Sequence, residues 1–530
     1  MPRGVNKSEL IRWEEKMPIA LPAPATPELG TVEIVRAQGS EYASAAVQQN
    51  QVHVFGPDVV SKETVEQAIT GAENLSDAVR RIQAVYYLAG YPAVRVVYAL
   101  AEPDLYVSVS LGKVTKVEAP APYAAYFDGL TGADPLTDEA LEPGRTFASL
   151  HADRAGQSAN PKFIPDGDGS VLRIEPDDNG PGRSSMGLGF GNPGNRFVGR
   201  HFLDWFAKTS FTTGDEFRAS GRYGMEGLDN DQPTSDGYNE HTLGWGKVTP
   251  WGLIAVQGRY VGYQQVLPVV GVPDPVKFSG NIREGEIGWT GLLHSSFYSR
   301  WGVGAKVDYT YKDFAVTVSD QTLQRQEYAS AELSTQFSRI FNPLDIPTEL
   351  SAGVAVRSGL GDNKTDEALV AADLGYLLFR PTVSAKANVT DWVALRLMAI
   401  AQITDDRLPE QQQWVVGGIG NIESYLPGVA SGDSGGLGRF QLEFKSYDVA
   451  SVKFSPTLFV EYGYTKYENP LDGQSGAKQS LADGGVGLSM TRGPFEAAVS
   501  YAESFHEKKV EKDVLHDSDA NMFFRVAMKF

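Results

Sequence analysis

The sequence predicts a mainly β fold: a transmembrane antiparallel barrel of roughly 16 strands over residues 184–530, with small α+β domains and a candidate helix ahead of it. Three observations carry this expectation. From Ser184 onward no amphipathic helix is legible, and apolar residues recur at every second position. The segments so marked are separated alternately by tight turns and long polar stretches, the pattern of a barrel inserted from the periplasm. The chain also ends inside such a segment, on Phe530.

Taken in order, residues 1–17 contain a short helical candidate, Asn6 to Met17. Residues 18–50 read as a linker whose Pro/Ala start, Pro18 to Pro27, should be extended and semi-rigid. Met1 to Gly30 shows no charged start followed by an apolar core of about 7–15 residues. The secretory signal of an exported chain is therefore expected upstream of the numbered sequence. Residues 51–120 give a strand (QVHVF), a helix beginning near Ser61 and a second helix with Leu75, Val79, Ile82, Tyr86 and Ala89 on one face. Gly90 stops that helix, and strands follow at Ala93 to Leu100, Tyr106 to Leu111 and Val114 to Ala119. The order β-α-α-β-β-β describes a small domain with a helical layer on a sheet. Residues 121–183 form a second, shorter unit, with helices expected over 136–142 and 145–153 and a strand over 170–176.

The barrel region shows clean alternation. Phe217, Ala219, Gly221 and Tyr223 alternate with Arg218, Ser220 and Arg222; Leu458, Val460, Tyr462 and Tyr464 alternate with Phe459, Glu461 and Gly463. Pro250-Trp251-Gly252 and Arg492-Gly493-Pro494 mark tight turns, whereas 228–240 and 467–481 mark long loops. In the last strand Phe524, Val526, Met528 and Phe530 can face lipid while Arg525 and Lys529 face the lumen. A terminal Phe after such alternation resembles the assembly signal of outer-membrane barrels. A soluble β-sandwich would leave many alternating strands without a second sheet to cover them.

Composition fits this reading and excludes others. Apolar residues make up 42% and mean hydropathy is -0.25, as in a soluble protein, but a barrel hides its apolar residues at alternate positions. No run approaches the roughly 18 apolar residues of a membrane-spanning helix. A net charge of -19 argues against nucleic acid as a partner. With no cysteine, thiol nucleophiles, disulfides and thiolate metal sites are excluded. Gly432-Asp433-Ser434-Gly435-Gly436 matches the nucleophile sequence of trypsin-like proteases, yet the candidate base His294 lies in an unrelated LLHSS setting. Gly189-Phe190-Gly191-Asn192-Pro193-Gly194 has dinucleotide-loop spacing, but no helix can follow it. Asp166-Gly167-Asp168-Gly169 lacks the remaining calcium ligands, and the seven histidines are scattered. The sequence therefore predicts no enzyme, no cofactor and no metal.

These residues together resemble the outer-membrane transporters of two-partner secretion, the haemolysin and filamentous-haemagglutinin secretion/activation family. That family lies in the superfamily that includes the BAM insertase. Its members carry an N-terminal plug helix, a linker, two polypeptide-transport-associated (POTRA) domains and a 16-stranded barrel. The resemblance makes Asn6 to Met17 the plug helix and 51–120 the first POTRA domain, with YYLAGYPAVRVV (86–97) matching a Tyr-x-x-x-Gly-Tyr stretch through Tyr86, Gly90 and Tyr91. GADPLTDEALE (132–142) looks like the opening of the second. The most diagnostic stretch is VVGGIGNIESYLPGVASGDSGGLGRFQLEF (415–444), similar to the family's Gly-Gly, Val-Arg-Gly-Tyr and Gly-Asp-x-Gly series. Here Val-Arg-Gly-Tyr reads Ile422-Glu423-Ser424-Tyr425, and the partner motif Phe-x-Asp-x-Gly reads Phe459-Val460-Glu461-Tyr462-Gly463.

The resemblance implies a transporter that takes an unfolded, β-helical exoprotein from the periplasm to the cell surface. Outer-membrane lipid surrounds it, and the barrel-assembly machinery acts during its biogenesis. Strand addition or helix-in-groove docking could hold the cargo. An insertase and a porin-like channel are the rival readings. In the family the hairpin arginine meets the acidic residue of the strand motif inside the lumen, whereas this chain has Glu423 and Glu461. Either one takes up a proton, or a lumen-facing base such as Arg396, Arg439 or Arg525 stands between them, or the hairpin tip lies elsewhere.

Overall fold

The fold is that of a computed structural model describing residues 21–195, 198–225, 228, 237–267, 276–319, 321–343, 346–367, 372–470 and 478–530. The candidate helix within residues 1–17 and parts of the two long loops lie outside the described residues.

The first domain is a five-stranded mixed sheet. Its strands, from one edge to the other, are Glu28–Leu29, Arg95–Ala101, Asp104–Ser110, Asn50–Phe55 and Glu41–Val47. The helices Lys62–Thr70 and Leu75–Leu88 bury Val65, Ile69, Val79, Ile82 and Tyr86 on it with Val52, Val54, Val96 and Val107. Side-chain caps start both: Ser61 accepts from Thr64 N at 3.2 Å, and Asn74 from Asp77 N at 2.9 Å. The helix Val32–Arg36 covers Phe55 and Ala99 through Val35.

Two expected boundaries are corrected. The linker does not run to residue 50, because Glu41–Val47 pairs with Asn50–Phe55 as a hairpin. Its Ala/Ser-rich alternation is too weak in hydrophobicity to announce a strand. Nor does the first domain reach residue 120, since Val114–Glu118 pairs with Gly169–Asp177 in the next sheet. The chain crosses between the two at Gly112, where φ is +84° and a Cβ would stand 1.9 Å from the Ala93 carbonyl oxygen.

The second domain packs one long helix, Asp138–Ala155, with a three-stranded sheet of Val114–Glu118, Gly169–Asp177 and Ser158–Asp166. The two helices expected there are one. Pro143 lacks one donor and costs a single intrahelical bond, and at Gly144 the Tyr126 carbonyl comes too close for any Cβ, 2.1 Å away. The helix starts on Thr137 and ends at Gly156 in the left-handed conformation. Strand Ser158–Asp166 carries Pro161 and Pro165, which disguised it as a loop.

The barrel is closed, antiparallel and 16-stranded, as expected, from Ser184–Gly191 to Met522–Lys529. Ser434–Phe444 and Tyr447–Val449 pair with one neighbour and form a single interrupted strand. On Val452–Lys466, Leu458, Val460 and Tyr462 are exposed to the outside while Phe459 and Glu461 are buried within. Closure is a short seam from Arg525↔Gly191 to Lys529↔Gly187, extended by two backbone hydrogen bonds between Phe530 and Met186. Gly191 of the dinucleotide-like stretch serves this seam, since a Cβ on it would lie 2.5 Å from the Phe524 carbonyl.

The helix Asp138–Ala155 welds the second domain to the tight-turn end of the barrel. His151 bonds Tyr126 Oη at 2.8 Å and the Thr212 carbonyl at 2.9 Å. Arg154 donates to the Gly214 carbonyl at 3.0 Å, and Arg300 donates to Thr146 Oγ1 at 3.0 Å. Asp138 ties all three units together: its N–H donates to the Gly90 carbonyl at 2.8 Å, and its carboxylate accepts from Phe297 N at 2.9 Å.

Candidate functional site

Between the barrel strands Val393–Gln402 and Ser434–Phe444 the chain leaves the wall and folds inward as a hairpin of Trp414–Val416 and Ala430–Gly432. Its tip is shaped by backbone that few residues adopt. Gly417, Gly418 and Gly420 have φ of +106°, +100° and +73°, and a Cβ on Gly417 would meet the Leu426 carbonyl at 2.2 Å. Ile422 also has positive φ, +61°, a costly state for a β-branched residue. It is fully buried with Val416, Tyr425, Val429 and Leu437, so the surrounding packing holds it there.

The expected tip and strand motifs meet. Arg439 Nη1 donates to Glu423 Oε1 at 2.7 Å and to Glu461 Oε1 at 2.5 Å. Glu461 also accepts the Glu423 N–H at 3.1 Å. Both carboxylates are buried, at 3% and 0% exposure. Of the three arrangements the sequence left open, the bridging base is the one found, and Arg439 supplies it; Arg396 instead pairs with Glu443 at 2.6 Å. The arginine that the family places on the tip has its counterpart here on the barrel wall, opposite Glu461 in the strand register. The guanidinium lies over the Phe459 ring at 4.2 Å. Gly463 completes the motif by its smallness, since a Cβ there would stand 3.0 Å from Ile422 Cγ1. Phe459, Glu461 and Gly463 thus each serve the seat of the hairpin.

Two further anchors escaped sequence reading. Asp483, paired with Glu461 on the next strand, accepts the Ser424 N–H at 2.7 Å. The loop before the last strand, with its helix Lys512–Ser518, closes over the tip. Leu426 N donates to the Ser518 carbonyl at 2.7 Å and Ala520 N to the Ser424 carbonyl at 3.2 Å, while the Tyr425 hydroxyl donates to Glu507. Val510, Val514 and Leu515 pack on the buried tip cluster. No motif announces such contacts, which join residues far apart in sequence.

The protease-like pentapeptide is structural. Asp433 accepts from Leu408 N at 2.9 Å and Glu468 N at 3.1 Å, and Ser434 Oγ donates to the Thr404 carbonyl at 3.1 Å. Gly435 makes room for Trp414, whose ring would lie 2.0 Å from a Cβ. His294 bonds Ser299 at the opposite, tight-turn end. In the first domain Tyr86 is buried and donates to the Pro57 carbonyl at 3.2 Å. Gly90, at φ +99°, leaves space for Asp138, and Tyr91 N closes the helix end on the Tyr86 carbonyl at 3.3 Å.

On the closing strand Phe524 packs on Phe190 at 5.7 Å between ring centres, and Val526 and Phe530 are exposed on the outer face. Met528 pairs with Leu188 across the seam. Phe530→Ser is expected to lower the amount of folded barrel in the outer membrane with synthesis unchanged; normal assembly of the variant would remove the terminal strand as a signal.

A closed barrel with two α+β domains docked on its tight-turn end and a hairpin seated in its lumen defines an outer-membrane transporter. The family model for the haemolysin secretion/activation protein ShlB/FhaC/HecB matches residues 168–490, and the chain belongs to that family. It is an outer-membrane transporter of two-partner secretion. In fold it is similar to CdiB from Escherichia coli, at 16% identity and a TM-score of 0.67, covering 96% of this chain and 94% of that one. It is also similar to CdiB from Acinetobacter baumannii, at 14% identity and a TM-score of 0.61, covering 94% and 92%. No curated protein matches the sequence.

Proposed function

We propose that the two N-terminal domains receive an unfolded, β-helical exoprotein in the periplasm and that the barrel passes it to the cell surface without any covalent step. The observation that carries this is the seat of the hairpin. It is fixed in the lumen by side-chain and loop contacts rather than by membership of the wall, so it can leave without opening the barrel. The pentapeptide serine is engaged with Thr404, which supports a non-enzymatic reading. Lipid meets the exposed apolar side chains of the wall, and the barrel-assembly machinery reads the terminal strand during biogenesis.

The domains differ in the edges they offer. Glu41–Val47 is an edge strand of the first sheet with no proline. Of the two edges of the second sheet, Ser158–Asp166 carries Pro161 and Pro165, which lack donors and discourage strand addition, and Val114–Glu118 is only five residues long against the seven of Glu41–Val47. Cargo is therefore expected on the first domain. Deleting residues 28–110 should abolish export of the cognate exoprotein while leaving a barrel that inserts and conducts ions. Continued export would mean that this domain is not the receptor.

A further inference from the structure

The outer face of the barrel wall carries a groove of about 810 Å³ beside the seam. It runs from Phe530, at the end of the closing strand, across the first four strands to Gly252–Leu267. One row of the strand register makes its floor. Phe530 bonds Met186, Met186 is opposite Ala207, Ala207 opposite Ala219, Ala219 opposite Leu243 and Leu243 opposite Gly258. Three of these positions are alanine or glycine, which leaves the wall hollow, and a Cβ on Gly258 would meet no atom within 4 Å. The neighbouring row, two residues nearer the tight turns, stands as a bank of Phe217, Trp245 and Val256. Lys208 and Arg218 alternate with these residues and reach Glu216 inside the barrel, so the groove opens on the lipid side.

The bank marks the level of the groove in the membrane. Phe211, in a tight turn, meets Phe217 edge-on at 5.9 Å between ring centres, and the Trp245 indole N–H donates to Asp215 beside that turn at 3.0 Å. Rings with an apolar body in the wall and a polar tip at its rim form the girdle of a membrane interface, here the periplasmic one. Five inter-strand steps make the groove roughly 24 Å long. With strands tilted about 45°, a row at right angles to them rises by roughly 17 Å, about one leaflet of a hydrocarbon core some 30 Å thick. Bank and floor are about 7 Å apart along the strands, too close for a helix of roughly 10–12 Å diameter. Length, width, apolar lining and continuity with the lipid-facing wall all suit a single hydrocarbon chain. We propose that the groove binds one acyl chain of a phospholipid of the periplasmic leaflet and that this chain splints the seam. Phe530 lies on one side of the closure and Met186 and Ala207 on the other, so a chain in the groove touches both. The closing strand is otherwise held to Ser184–Gly191 by backbone pairing over a short stretch.

The test uses the full-length protein in dodecyl maltoside micelles, titrated with phosphatidylethanolamine brominated on its acyl chains, which quenches tryptophan on contact. The Trp245 signal is the difference between the unaltered chain and Trp245→Phe. Trp301, exposed on the wall farther round the barrel, gives the signal of ordinary lipid contact in the same way through Trp301→Phe. Trp245 is expected to be half-quenched at a lipid mole fraction at least tenfold lower than Trp301. Gly258→Leu, which enters open space, and separately Ala207→Leu fill the groove and should bring Trp245 to the mole fraction of Trp301. Unbrominated phospholipid should raise the temperature at which the folded form disappears on an unboiled gel, and should leave it unmoved in both filled variants. Equal half-quenching of Trp245 and Trp301, selectivity that survives both fillings, or a transition temperature indifferent to the lipid overturns the proposal.

Discussion

Arg439→Ala is expected to cost the folded transporter about 3–5 kcal/mol, the range for breaking a buried ion pair by removing one partner. The guanidinium, carried by one wall strand, neutralises both the Glu423 carboxylate of the tip and the Glu461 carboxylate of the neighbouring wall strand. Without it two buried carboxylates face each other, with Asp483 next in the same strand row. The readout is the temperature at which the fast-migrating folded form disappears on an unboiled gel, together with channel conductance, which should rise as the hairpin loses its seat. A double-mutant cycle with Glu423→Ala should give a coupling energy of about 0.5–3 kcal/mol; zero coupling would mean that the two side chains do not meet. Glu423→Arg alone should destabilise, because it sets a second guanidinium beside the first. Combined with Arg439→Gln it should recover much of the loss, since the tip would then carry the cation and meet Glu461 directly.

His151→Ala should loosen the joint between the second domain and the barrel. It leaves the Thr212 carbonyl without its His151 partner, at about 1–3 kcal/mol for a group left unsatisfied, and leaves the Tyr126 hydroxyl with only its longer bond to the Val248 carbonyl at 3.4 Å. The same joint should respond to acid. Burial, with Lys247 and Arg154 adding to it, holds the His151 imidazole below its ordinary range despite the hydrogen bond to Thr212. A histidine with a lowered folded pKa binds its proton more readily when undocked. Its contribution to the joint is therefore full above the ordinary value of about 6.5 and is lost as pH falls below it. Distances between spin labels on cysteines introduced at exposed Glu139 and Thr213 should broaden between pH 7.5 and pH 5, in a chain with no native cysteine. His151→Gln should flatten that response; an equal broadening in the variant would place the titrating group elsewhere.

The barrel was legible because its information is local. Alternation along Leu458 to Tyr464 states both the strand and its lumen face, and a closed barrel obliges every such strand to find a neighbour. The helix Leu75–Leu88 was legible for the same reason, through its apolar face and Gly90. What stayed hidden depends on context. Pro143 looked like a break because the single lost hydrogen bond is visible in the sequence and the packing that tolerates it is not. Glu41–Val47 looked like linker because alanine and serine mark a strand weakly. In the site, Glu423 against Glu461 stood out as a conflict, and the sequence offered Arg439 only as one of three bases. The register that sets Arg439 opposite Glu461 settles the choice. Asp483 and the loop over Tyr425 carried no signal at all, since their partners are brought together only when the barrel closes.

Secretion itself is the most direct test of the central claim. This chain and its proposed cognate exoprotein are produced together in a Gram-negative host, and the exoprotein is measured in periplasm, surface and medium fractions. The account predicts exoprotein at the surface and in the medium when the chain is present, and in the periplasm alone when it is absent. Exoprotein retained in the periplasm beside a correctly folded barrel, or released equally well without this chain, would contradict it.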